Sequence, residues 1–206
     1  SWGIEIPFDR DYVTYVWFDA LLNYITAIGW SKDEKKFTKW WPADNHLIGK
    51  DILTTHCVYW ITMLLASDIQ LPKSIFAHGW WLSDDTKMSK SVGNVIKPLD
   101  LADIHGVDAL RYFLMRDMVL GLDASYSYES FVKRYNSDLA NDFGNLVNRV
   151  TMLIQKNFDG KIPENGELEK EELDLVKGID NTINIVKDNI IDMKIHKAIE
   201  NVLNVF

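Results

Sequence analysis

Apolar and polar residues alternate in short blocks over the first hundred positions and settle into longer helical stripes over the second hundred. Residues 5–18 read as strand, richest in β-branched and aromatic side chains over 12–18. A helix is expected to begin near Asp19, setting Ala20 and Tyr24 four apart on one face with Trp17 just ahead of it. Residues 31–45, rich in Lys and Asp around Trp40-Trp41-Pro42, read as a connection or a short irregular helix. A short strand over 46–48 precedes Gly49-Lys50-Asp51, then a helix runs through Ala66, with Ile52, His56 and Trp60 spaced by four in one stripe. The apolar run 75–82 is strand-like through His78-Gly79 and leads to a loop rich in Lys and Ser, a turn at Gly93-Asn94, and a helix over 108–118 with Leu110, Phe113 and Leu114 as its apolar residues. Residues 128–158 read as one long helix. Its expected core face is Leu139, Phe143, Leu146, Val150 and Leu153, and Asn141, Asn145 and Arg149 fall roughly opposite. Two further amphipathic helices follow over 167–206. Ile195, Ile199, Val202 and Phe206 continue a stripe with no stop signal after it, and the chain starts at Ser1 without Met, so it is expected to be a piece of a longer polypeptide.

Composition narrows the class. With 206 residues, 47% of them hydrophobic, the chain can bury a core and form one or two domains. Cys57 is its one cysteine, which excludes an internal disulfide and a Cys-rich zinc site and fits a reducing, cytoplasmic compartment. The longest apolar run, 58–66, is broken by Thr62 and too short to span a bilayer, and no signal-peptide pattern opens the chain, so no membrane partner is expected. A net charge of -8 argues against non-specific nucleic-acid binding, although a local basic or amide-rich surface can still recognise RNA.

Candidate chemistry concentrates at a few places. Lys87-Met88-Ser89-Lys90-Ser91 sets two ammonium groups and two hydroxyls on an expected mobile connection past a strand end, where open α/β sheets bind ligands. Such a loop can grip a polyphosphate whose charge shifts between oxygens during reaction; the alternative is a solvated basic loop. Gly49 lets the backbone approach a ligand closely, and Asp51 either caps the helix or accepts bonds from a ribose diol. His46-Leu47-Ile48-Gly49 lacks the second histidine of a His-Ile-Gly-His signature. His56 on a helix reads as an ordinary core histidine or, with Ile52 and Trp60, as an aromatic and imidazole wall suited to a thioether. Asn141, Asn145 and Arg149 read as a solvated face or as groups that read the base edges of unstacked loop nucleotides.

Over Gly3-Ile4-Glu5-Ile6-Pro7, Tyr15-Val16-Trp17-Phe18-Asp19-Ala20, Gly49-Lys50-Asp51-Ile52 with His56 and Trp60, His78-Gly79-Trp80, the Lys/Ser loop and Asp108-Ala109-Leu110-Arg111-Tyr112, the chain resembles the methionyl-tRNA synthetase family of class I aminoacyl-tRNA synthetases. The resemblance covers essentially the whole chain, and the pentapeptide is the class signature loop. It implies an α/β fold: the C-terminal part of a Rossmann-like nucleotide-binding domain (1–98), a connecting module on the acceptor-arm side (99–127), and a truncated helical anticodon-binding domain (128–206). It implies activation of methionine with ATP and Mg²⁺, followed by transfer to tRNA(Met). Lys87 and especially Lys90 would act in catalysis. Glu5, Gly49, Asp51, His78, Gly79, Met88, Ser89, Lys90 and Ser91 would bind ATP. Trp17, Ala20, Leu21, Tyr24, Ile52, His56 and Trp60 would border methionine, Leu21 falling where some members carry proline. Asn141, Asn145 and Arg149 would face the anticodon. None of these residues is expected to ligate a metal, and any zinc would lie in an insertion this chain lacks. Without the His-Ile-Gly-His half of the ATP site, the chain alone is expected to be inactive. Rival readings are a class I synthetase for another apolar amino acid, a non-catalytic tRNA-binding module, and a helical adaptor, which leaves the lysine loop unexplained.

Overall fold

The first strand-like stretch folds back on itself: β1 (Glu5–Ile6) pairs antiparallel with β2 (Asp9–Val13), Glu5 opposite Val13. The structure, a computed structural model, describes residues 3–83, 86–88, 91, 93–164 and 166–205, and the chain divides into two units, Ser1–His78 and Gly79–Phe206.

In the first unit, α1 (Val16–Thr26) starts three residues before Asp19. Leu21 and Ile25, four apart, are 0% and 1% exposed, and packing of that helical face overrides the strand preference of Val16-Trp17-Phe18. The Asp33 carboxylate accepts a bond from the Lys36 N–H at 3.0 Å and caps α2 (Glu34–Trp40), so this polar stretch is a regular helix. Trp41 follows it into the core, where its indole donates to the Gln70 carbonyl at 2.7 Å. β3 (His46–Gly49) and β4 (Ile75–His78) run parallel with Gly49 opposite His78. The connection between them is helical: a 3₁₀ turn (Lys50–Ile52), a π-helical stretch (Thr55–Trp60) and α3 (Ile61–Ala66). Leu21, Ile25, Trp41, Trp60 and Leu64 form the core that joins this crossover to α1.

In the second unit, β5 (Trp81–Ser83) lies between β6 (Thr86–Lys87), antiparallel, and β7 (Ala124–Tyr126), parallel. The apolar run 75–82 is therefore two strands in two sheets, divided at Gly79-Trp80. A Cβ on Gly79 would stand 2.1 Å from the Leu122 carbonyl oxygen, so only glycine lets the segment before β7 cross there. α4 (Pro98–His105) and α5 (Val107–Asp117) follow, and Ala109, Phe113, Tyr126 and Phe131 form a core against which Met88, Ile96 and Leu101 pack.

The helix expected over 128–158 is continuous but changes pitch. α6 (Tyr128–Arg134), opened by reciprocal Ser127 and Ser130 hydrogen bonds, passes into a π-helical segment (Tyr135–Gly144) and then α7 (Asn145–Phe158). The expected core face does not hold: Phe143, Val150 and Leu153 are 45%, 45% and 58% exposed, and the buried residue of the segment is Asp138. A π segment turns more slowly per residue than the 3.6-residue period, so a stripe read at that period drifts out of phase across it. α8 (Lys170–Ile191) and α9 (Ile195–Leu203) complete the unit, α9 packing on both α8 and α5. Phe206, the last member of the expected α9 stripe, lies outside the described residues.

Asp138 gathers this unit. It accepts from the Tyr112 hydroxyl at 2.7 Å and the Ser137 hydroxyl at 2.5 Å, and pairs with Arg134 at 3.5 Å and Arg116 at 3.9 Å. Arg134 also holds Asp117 at 3.0 Å, and Arg116 reaches Glu200 on α9 at 3.6 Å. Burial alone would raise the Asp138 carboxyl, but the two hydroxyl donors and the two guanidinium groups outweigh it and hold it below the usual carboxylate range. Breaking a buried pair on one side costs about 3–5 kcal/mol. Because both arginines keep a second carboxylate, Asp138→Ala is expected to lower stability by about 3 kcal/mol, measured by chemical denaturation. The depressed carboxyl contributes stability above its unfolded value of about 3.9 that is lost as pH falls through the folded value, so Asp138→Asn should flatten the acid limb of the unfolding curve.

Candidate active site

The helix and crossover of the first unit bring four rings together. His56, fully buried, has Nδ1 2.9 Å from the Ile52 carbonyl oxygen, which can only accept. In the neutral ring Nδ1 therefore carries the proton, and Nε2 accepts from the Tyr24 hydroxyl at 2.9 Å. Thr55 donates to the same Ile52 carbonyl at 2.6 Å, so the π-helical turn fixes the orientation of the imidazole. Trp17 stands edge-on to His56 with ring centres 5.9 Å apart, and Tyr24 lies 5.8 Å from Trp60. Burial pushes the Tyr24 phenol up, so it stays a neutral donor across the physiological range. The result is a polarisable aromatic and imidazole wall with one hydroxyl, a surface that suits sulfur and methylene groups.

At the carboxyl ends of the parallel pair, Gly49 and His78 are register partners and Asp51 occupies the next turn. Asp51 is not the cap: the N-cap is Gly49 itself, without a side-chain bond. Instead the Asp51 carboxylate folds over Gly49, its Oδ1 2.6 Å from where a Cβ would stand. Backbone and carboxylate are thus presented together at the strand end, the usual ligand position of open α/β sheets.

In the second unit Lys87 belongs to β6 opposite Leu82, not to a mobile connection, because the hairpin pairing extends into the loop. Its ammonium lies 3.8 Å from the centre of the Trp80 ring, and Asn94 donates to the Lys87 carbonyl at 3.3 Å. Met88 packs against the core of Ala109, Phe113, Tyr126 and Phe131. Ser91 lies at a turn position, and Gly93 has a φ of 75° that favours glycine. Ser89 and Lys90 lie outside the described residues.

Residues 1–151 match the sequence profile of the tRNA synthetases class I (M). The chain belongs to this family. It is 48% identical over 203 residues to the methionine–tRNA ligase of Halalkalibacterium halodurans, covering 97% of this chain and 30% of that protein. To the Rickettsia prowazekii methionine–tRNA ligase it is 44% identical over 209 residues, 98% of this chain and 41% of the relative. Its fold superposes on Mycobacterium tuberculosis methionyl-tRNA synthetase bound by methionyl-adenylate with a TM-score of 0.88 at 43% identity, covering 99% of this chain and 40% of that one. The chain thus spans about 30–41% of the length of these relatives.

Set against this family, the structure gathers Trp17, Tyr24, Ile52, His56 and Trp60 in the ring cluster. Leu21 lies in the core with Ile25, Trp41 and Trp60, against which Trp17 packs, and Ala20 is exposed on α1. Glu5 is exposed on the β1–β2 hairpin. Asn141, Asn145 and Arg149 are all exposed, Asn141 on the π segment and the other two on α7. Sequence reasoning passed over Trp80, although an aromatic placed directly after His78-Gly79 and next to a basic strand is a recognisable partner for Lys87. It also left His46 without a role.

The two candidate glycines should separate in the laboratory. On Gly79 a methyl meets backbone atoms of Leu122 that cannot swing away, so Gly79→Ala should cost about 1–3 kcal/mol in thermal or chemical unfolding. On Gly49 it meets a rotatable carboxylate, so Gly49→Ala should leave the unfolding midpoint nearly unchanged while displacing Asp51.

Proposed function

We propose that this chain serves in a methionyl-tRNA ligase that activates methionine with ATP and transfers it to tRNA(Met). The observation that carries this reading is the wall of Tyr24, His56, Trp17 and Trp60, in which a hydrogen bond joins Tyr24 to His56 and ring contacts add the two tryptophans, in a chain that shares 43% of its residues with a synthetase bound by methionyl-adenylate. An amino acid with a thioether side chain needs shape, polarisable contacts and one weak polar partner, and the wall supplies these. In this reading Trp17, Ala20, Leu21, Tyr24, Ile52, His56 and Trp60 border the methionine side chain. Glu5, Gly49, Asp51, His78 and Gly79 hold the nucleoside, and the signature loop holds the phosphates. The parallel pair and its helical crossover are read as part of a Rossmann-like nucleotide-binding domain. Residues 1–98 act in catalysis, 99–127 connect, and 128–206 begin an anticodon-binding bundle. The enzyme works in the cytoplasm.

No covalent enzyme intermediate is required. The methionine carboxylate attacks the α-phosphorus of ATP, the bond to the pyrophosphate bridging oxygen breaks, and negative charge moves onto the leaving pyrophosphate. Catalysis consists of positioning and of stabilising that charge, the work assigned to Lys87 and Lys90. In this reading Mg²⁺ accompanies ATP, carried on its phosphates.

Two experiments test this reading in a full-length ligase carrying these 206 residues. Lys90→Ala should lower kcat of adenylate formation about a hundredfold to a thousandfold with methionine KM nearly constant, because the ammonium contributes more in the transition state than to bound substrate. A kcat within about threefold of the parent returns the loop to a solvated surface. Arg149→Ala should weaken charging of tRNA(Met) and leave pyrophosphate exchange nearly unchanged; equal loss in both assays indicates misfolding rather than lost anticodon contact.

A further inference from the structure

His46 occupies a position the chemistry above does not use. It opens β3, where its backbone N–H donates to the Ser74 carbonyl at 3.0 Å and its Cα faces Ile75 of the parallel partner, so the sheet itself fixes where its side chain starts. The ring is 6% exposed. Its Nε2 lies 3.2 Å from Nε1 of the fully buried Trp60. An indole N–H only donates, so this contact requires an unprotonated Nε2 and a neutral His46 with its proton on Nδ1. Burial first, and the facing His56 second, disfavour the charged form and support that state. The other face of the ring lies against Tyr24 with centres 4.5 Å apart, a closer approach than Tyr24 makes to His56 or Trp60.

We infer that His46 is a positioning residue for the methionine wall: its Nε2 holds the Trp60 indole and its ring backs Tyr24, so one side chain sets two of the rings that meet the substrate. This rests on the methionine reading given above. A neutral hydrogen bond is worth about a factor of ten at most in an equilibrium, so loss of the acceptor should weaken methionine by about tenfold. Glutamine places an amide oxygen near the position of Nε2 and should restore the bond; leucine fills the space without an acceptor.

The test uses a full-length ligase carrying these 206 residues, labelled with ¹⁵N and titrated with L-methionine, with the Trp60 indole signal assigned through Trp60→Phe. The expected result is that His46→Leu shifts the Trp60 indole N–H signal and weakens methionine about tenfold, while His46→Gln keeps both within about threefold of the parent. A merely structural histidine predicts no rescue by glutamine, and that outcome overturns the inference. So does a His46→Leu chain that binds methionine as the parent does. If the parent shows no methionine-dependent shift although its indole signal still depends on His46, the methionine reading fails and takes the proposed role with it. If the parent binds but the indole signal is indifferent to His46, only the role of His46 fails.

Discussion

Among the described residues of the second unit, the Asp138 carboxylate is the buried charge on which the helices converge. It lies on a helical segment that should, by apolar periodicity, have turned Leu139 and Phe143 inward. Instead the segment turns inward a carboxylate with Tyr112, Ser137, Arg134 and Arg116 around it. A carboxylate in that position is tolerable only because each oxygen is satisfied, and the partners come from α5 and from both ends of the α6 and π-helical junction. Through Arg116 the same network reaches Glu200 on α9. The arrangement of these helices is therefore specified by charge geometry, which permits fewer alternatives than apolar packing does.

The first unit is built on the opposite principle. Its buried polar groups, His46, His56, Thr55 and the Trp41 and Trp60 indoles, are held by hydrogen bonds between neutral partners. Each imidazole has its tautomer dictated by a neighbour that can only donate or only accept. This separation matches the chemistry proposed for each unit. A thioether is recognised by neutral, polarisable surfaces, whereas a polyphosphate requires cations; Lys87 on the second unit lies over the aromatic face of Trp80.

Much of this was legible in the residues. The signature pentapeptide, the glycine after a short strand, and the Ile52, His56 and Trp60 spacing are local features whose chemistry depends on residue type and near neighbours, so they pointed to the family, and through that resemblance to a wall of rings, before any coordinates. The β3 strand, the helical crossover through Ala66 and the helix over 107–117 followed from hydrophobic period for the same reason. What periodicity could not carry was phase. The start of α1 moved by a turn because burial of Leu21 and Ile25 outweighed local strand preference, and the apolar stripe over 139–153 lost its register across the π segment.

By itself, then, the sequence determined the class of the chain and the residue types of its candidate site, because those are properties of composition and of spacing within a few turns. The tertiary structure alone decided which polar atoms meet. Trp60 and His46 are 14 positions apart, Tyr24 and His56 are 32 apart, and Tyr112 and Asp138 are 26 apart. No local pattern encodes those pairings: each exists because sheet register and helix packing bring distant donors and acceptors within 3.2 Å of each other, where a buried polar group must find its partner.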